Sequence, residues 1–234
     1  MNLDLFISLI TAHVIGDFYL QTDACCQQKA TLKLKSRFLY LHPLIIGGLS
    51  WLAVPTASFW CGFLIITISH WAIDVAKVHI PHKGLGSFII DQLAHITVLG
   101  AITLRFQPDS ALPIQWIDFS PAFSFPLFFL AVLLCLKPAN ILIKLILKKY
   151  QIYQIGHTPS CDDIKNAGAL IGDLERLLTL LFVTLGQFEA IGFIIAAKSL
   201  LRFKETDTAK TEYVLAGSFL SFGIALVCGL MAVR

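Results

Sequence analysis

Long apolar runs separated by short polar breaks dominate this chain. The runs cover residues 3–20, 38–54, 57–77, 87–104, 121–147, 168–185, 188–203 and 213–233. They reach or come close to the roughly 20 residues that a helix needs to cross a bilayer core. The pattern predicts an all-α, polytopic transmembrane helical bundle of about eight spans. Pro55 ends the second run, and VHIPHKGLG at 78–86 interrupts the chain with Pro81, Gly84 and Gly86. The stretch 21–37 reads as a basic loop. A connector at 106–121 separates an N-terminal four-helix half, 1–105, from a C-terminal half, 122–234. Pro138 predicts a kink in the fifth run. The sixth and seventh runs carry Asp173, Glu175, Arg176, Glu189, Lys198 and Arg202. A buried or re-entrant pair is therefore an alternative to two full crossings.

The distribution of Lys and Arg orients the bundle. Lys29, Lys33, Lys35 and Arg37 follow the first run, Lys77 and Lys83 the third, Lys144, Lys148 and Lys149 the fifth, and Lys204 and Lys210 the seventh. The alternate loops hold little beyond Arg105. Basic loops face the cytoplasm, so both termini are expected on the far side. Composition agrees with a lipid-facing chain. Its apolar fraction is 56% and its charged fraction 14%, against about 25% charged in a soluble domain. The net charge of +3 sits in short loops between runs and gives no surface for nucleic acid. The six cysteines form no CxxC pattern and read as apolar fillers or free thiols.

Three pairs of ionisable residues lie inside the apolar runs at four-residue spacing: His13/Asp17, His70/Asp74 and Asp91/His95. That spacing puts each imidazole and carboxylate on one helix face. His42 adds a fourth imidazole. With runs alternating in direction, all seven groups lie at a similar depth near the cytoplasmic ends of the first four spans. Each buried charge there costs about 2.5–3.5 kcal/mol. A divalent cation would balance the carboxylates, since Lys77, the nearest cation, is expected at the helix end in the loop. Imidazole with carboxylate suits Zn, Mn or Fe, and seven donors are enough for two ions. A metal-free polar network or a proton relay is the alternative. His79 and His82 have HxxH spacing, but they sit beside Lys83 and read as solvated.

A second polar group lies in the C-terminal half. Asp173, Glu175 and Arg176 open the sixth run, and Lys198 and Arg202 close the seventh. Opposite charges on one side suggest ion pairs that close a helical hairpin. A basic pocket for a phosphate or lipid head group is the functional alternative. Pro138 frees a backbone carbonyl that Asn140 could satisfy, or Asn140 could line a cavity. VIGD at 14–17 and LIGD at 170–173 look alike, but one closes a run and the other opens one, so they mark no duplication.

HVIGDFYLQTD (13–23), SHWAID (69–74) and DQLAH (91–95) resemble the N-terminal signature of a bacterial membrane family named domain of unknown function 3307. Residues 166–203 and EYVLAGSFLSFG (212–223) resemble the C-terminal part of its longer members. The resemblance implies residence in a bacterial inner membrane, which makes both termini periplasmic. It implies no activity. His and Asp at membrane-helix ends also give a looser analogy to membrane-bound metal-dependent hydrolases, although HExxH is absent.

The leading expectation is a membrane metalloprotein, with hydrolysis of a lipid or phosphoester as its chemistry. A metal-ion or proton-coupled transporter and a structural or accessory subunit are the alternatives. The partners expected are the bilayer and a lipid or phosphate-bearing small molecule. The sequence leaves the oligomeric state open.

Overall fold

The computed structural model describes residues 2–80, 84–106, 124–150, 167–202 and 208–233. Its regular elements among these residues are helices. The chain divides into two compact units, Met1–Ile117 and Asp118–Arg234.

The first unit begins with α1, Leu3–Val14, whose N-cap Asn2 accepts a hydrogen bond from the Leu5 amide at 3.1 Å. Such a cap satisfies one of the unpaired amides at a helix start. The helix then widens into a π turn, Ile15–Leu20. α2 spans Asp23–Leu32 and is capped by Thr22. The 21–37 stretch is thus mostly helical and not the basic loop that its polarity suggested. Thr22-Asp23 at its head is the capping signal that marks it. After a 3₁₀ turn at Lys33–Lys35 come α3, Phe38–Ala53, then α4, Trp60–His79, and α5, Leu85–Arg105.

α1 packs on α3 and α5, and α4 packs on the same two helices, which closes a four-helix bundle. Two glycines let the backbones approach. A Cβ on Gly16 would lie 2.1 Å from Ile46 Cδ1, and one on Gly47 would lie 2.1 Å from Thr67 Oγ1. Small residues at such crossings allow close packing. One end of the bundle is filled by Leu5, Leu9, Ile46, Ile66, Leu99 and Ile102. The outer faces expose Leu44, Leu52, Ile65, Ile68, Ile90 and Leu104. Polar groups inside and apolar groups outside suit lipid as the surrounding solvent.

The second unit contains α6, Phe125–Cys135, α7, Lys137–Lys149, α8, Ala167–Thr184, α9, Phe188–Arg202, and α10, Thr208–Ala232. α10 packs on α6, α7 and α8, and α8 also packs on α9. The fifth run is broken as its proline predicted: α6 and α7 meet at a 41° bend. Pro138 occupies the first turn of α7, where its missing N–H costs nothing.

Among the described residues, four helical segments are long and apolar enough to cross a membrane: Leu3–Leu20, Trp60–His79, Leu85–Arg105 and Glu212–Ala232. The bent α6–α7 pair would make a fifth. The eight apolar runs are therefore not eight such helices among the described residues. α3 is apolar but has 16 residues, α9 has 15, and α8 carries Asp173, Glu175 and Arg176 within its 18.

Candidate metal centre

Asp17 lies in the π turn one helical turn beyond His13, and the pair stays together, with His13 Nε2 3.7 Å from Asp17 Oδ2. π turns occur often at functional sites. His42 enters from the first turns of α3, and His70 and Asp74 come from the second half of α4. Asp91 and His95 come from the first half of α5. The expected convergence is present: His13, His42, His70, Asp74, Asp91 and His95 are all 2–5% exposed, and the Asp17 side chain is 10% exposed.

The seven groups do not surround one point. They form three overlapping triads of mutually close donor atoms: Asp17/His42/His70, His13/His70/His95 and Asp74/Asp91/His95. In the first, every edge is 3.3 Å or shorter. Asp17 Oδ1 lies 2.9 Å from His42 Nε2 and 3.3 Å from His70 Nε2, and the two Nε2 atoms are 3.1 Å apart. A tetrahedral ion with bonds of about 2.0–2.1 Å holds its ligand atoms about 3.3–3.4 Å apart. Adjacent ligands of an octahedral ion stand about 3.0 Å apart. The observed triangle falls in this range. The His70 and His95 rings stack with centroids 4.0 Å apart, which joins the first triad to the third.

Counter-charge in the third triad departs from expectation. Lys77 reaches Asp91 Oδ2 at 2.5 Å, and Lys29 of α2 reaches Asp74 Oδ2 at 2.8 Å. The bundle thus supplies two cations of its own, because the long lysine stems carry their ammonium groups inward from helix ends. Lys29 is 7% exposed, and nothing in its polar sequence neighbourhood marked it for burial. The His70/Asp74 pair is split: among the described residues, His70 pairs with Asp17 and Asp74 with Lys29. Asp17 has no lysine among the described residues. Gln92 was also missed. Its Nε2 donates to Asp17 Oδ2 at 3.3 Å and to Asp91 Oδ2 at 3.2 Å, while its Oε1 lies 3.4 Å from His13 Nε2. Its place beside Asp91 in DQLAH was the only signal.

Two buried atoms of the third triad have no hydrogen-bond partner among the described residues: Asp91 Oδ1 and His95 Nε2. They lie 3.7 Å from one another. A buried polar atom without a partner costs about 1–3 kcal/mol, and a cation between the two would satisfy both. A mostly apolar cavity of about 650 Å³ opens between α4 and α5, lined by Ile73, Ala76, Ile80 and Ile90 among others, with Lys77 and Asp91 also in its lining. His79 is exposed and bonds the Val75 carbonyl at 2.8 Å. His82 lies outside the described residues.

In the second unit Arg176 is the centre of the polar group. It is 1% exposed. Its Nη2 donates to Asp173 at 2.6 Å and to Asn140 at 2.7 Å, its Nη1 donates to Ser221 at 2.9 Å, and its Nε donates to the Cys135 carbonyl. The carbonyl at the broken helix end is thus satisfied by Arg176, while Asn140 also donates to Asp173 at 2.8 Å. Glu175 pairs with Lys198, as opposite charges at the two helix ends suggested. The Arg202 side chain lies outside the described residues.

Comparison with known families covers the half that carries this cluster. Residues 5–118 match the family described as Protein of unknown function (DUF3307). The matched segment contains all seven donors, so the resemblance read from the N-terminal motifs holds for that half. The match ends before the Arg176 group. No curated protein and no solved structure matches the chain.

Proposed function

We propose that the N-terminal unit is a membrane-embedded divalent-metal centre that hydrolyses a lipid or phosphoester at the cytoplasmic face of a bacterial inner membrane. The observation that carries this reading is the triangle of Asp17 Oδ1, His42 Nε2 and His70 Nε2, with edges of 2.9, 3.1 and 3.3 Å. Two imidazoles and one carboxylate suit Zn, Mn or Fe. When bound, such an ion would make a coordinated water acidic enough to act near neutral pH. One carboxylate of the cluster left free of the ion, such as Asp91, would act as general base. Lys77, which lines the apolar cavity, offers a positive charge to an anionic head, and the cavity walls suit an acyl chain. In the topology proposed, the shorter helices also cross, giving eight spans with both termini periplasmic. The packing of α3 along α1 and α4 supports this.

A proton relay is the second reading, favoured by the direct His42–His70 contact. The apolar packing at the other end of the bundle supports a site closed on one side over a continuous path. Metal content and phosphate release from phosphatidic acid in mixed micelles, measured on wild type and His70→Ala, test the proposal. The expected result is stoichiometric metal and release in wild type, with both lost in the variant. Wild type without metal would put the relay ahead. Metal without phosphoester or lipid hydrolysis would move the reading to a transporter or accessory subunit.

A further inference from the structure

The second unit contains a cavity that the metal centre does not use. It measures about 410 Å³ and lies among α7, α8, α9 and α10. Lys144, Arg176 and Lys198 line it with a single carboxylate, Glu175. Lys198 is paired with Glu175 and Arg176 with Asp173, while Lys144 is exposed and has no partner among the described residues. The cavity therefore carries a surplus positive charge.

Arg176 forms the buried end of the cavity. A guanidinium has five N–H donors, and four of them are directed at Cys135, Ser221, Asn140 and Asp173. One hydrogen on Nη1 is left uncommitted among the described residues. Gly172, which also lines the cavity, leaves the approach to that atom open: a Cβ there would sit 3.1 Å from Nη1. Gly168 and Ala169 of α8 form part of the same wall. Apolar side chains, including Ile143, Leu147 and Val214, make up much of the remaining lining. Positive charge at the base with apolar walls suits an anionic head joined to a hydrocarbon chain.

We propose that this cavity binds a phosphate group, carried by an anionic lipid or free in solution, with Arg176 Nη1 and Lys144 as its donors. The probes are phosphatidic acid, phosphatidylcholine and inorganic phosphate. Binding to the purified full-length protein is read by native mass spectrometry, and folding is checked by circular dichroism. Phosphatidic acid should bind more tightly than phosphatidylcholine. Lys144→Gln, at an exposed position that leaves the fold intact, should weaken phosphatidic acid about fivefold, near the worth of one lysine at an anionic surface. It should leave phosphatidylcholine unchanged. Gly172→Ala should weaken phosphatidic acid as well, because its Cβ covers Nη1. Competition by millimolar inorganic phosphate would identify free phosphate as a ligand, and its absence would identify the lipid. Equal binding of the two lipids, or phosphatidic acid binding unchanged in both folded variants, would overturn the proposal.

Discussion

Replacing Lys29 by methionine isolates the electrostatics of the bundle. Lys29 and Asp74 meet at 2.8 Å with side chains 8% and 6% exposed. Methionine keeps most of the apolar stem and removes the charge, leaving Asp74 buried without its cation. Breaking one side of a buried pair costs about 3–5 kcal/mol, or roughly two to four powers of ten in the folding equilibrium. Lys77→Met should cost less, because the Lys77 side chain is 43% exposed and its charge is partly solvated, but more than a surface pair, because it leaves Asp91, 3% exposed, without its cation. The assay is reversible unfolding in mixed micelles, followed by the fluorescence of the tryptophans. Asp74→Asn in the Lys29→Met background should recover much of the loss, since the unpaired charge is gone. Zn²⁺ should stabilise Lys29→Met more than wild type, because the lysine no longer competes for Asp74. An ion at 100 times its Kd contributes about 2.7 kcal/mol. A loss below about 1 kcal/mol, or no recovery on adding Asp74→Asn, would refute the buried pair.

Further expectations follow from the same geometry. Gly47→Val should destabilise by at least about 1–3 kcal/mol in the same assay, because its Cβ meets Thr67 across the α3–α4 crossing; unchanged stability would remove the close approach. Arg176→Met should destabilise more than Lys198→Met, since Arg176 is 1% exposed while the Lys198 and Glu175 side chains are 18% and 14% exposed; the reverse order would contradict the assigned network. Cysteine introduced at Lys33 should resist impermeant thiol reagents in intact cells. Labelling from outside would overturn the cytoplasmic placement of the centre.

Helices long and apolar enough to cross a membrane were legible because apolar run length alone records them. The metal-site candidates were legible because four-residue spacing fixes a shared helix face, as His13/Asp17 and Asp91/His95 show. What sequence could not resolve was partner choice across helices. His70 faces the Asp17 carboxylate from a different helix and not its own neighbour Asp74, and only packing decides that. Lys29 escaped for a related reason. Polar composition marked its segment as loop, whereas the burial of one lysine depends on where α2 rests. Gln92 has no charge and no helical partner residue to draw attention to it. The π turn at Ile15–Leu20 leaves no periodicity signature distinct from that of an α-helix over six residues. The Arg176 carbonyl contact depends on the break after Cys135, which Pro138 announced without naming the group that would fill it.

X-ray absorption at the edge of the bound metal, on protein purified without chelators, tests the central claim most directly. The account predicts a light-atom shell near 2.0–2.1 Å with the outer scattering of about two imidazoles, and loss of the metal signal when either His42 or His70 is replaced by alanine. A folded protein with no stoichiometric metal, or a spectrum unchanged by both substitutions, would contradict it.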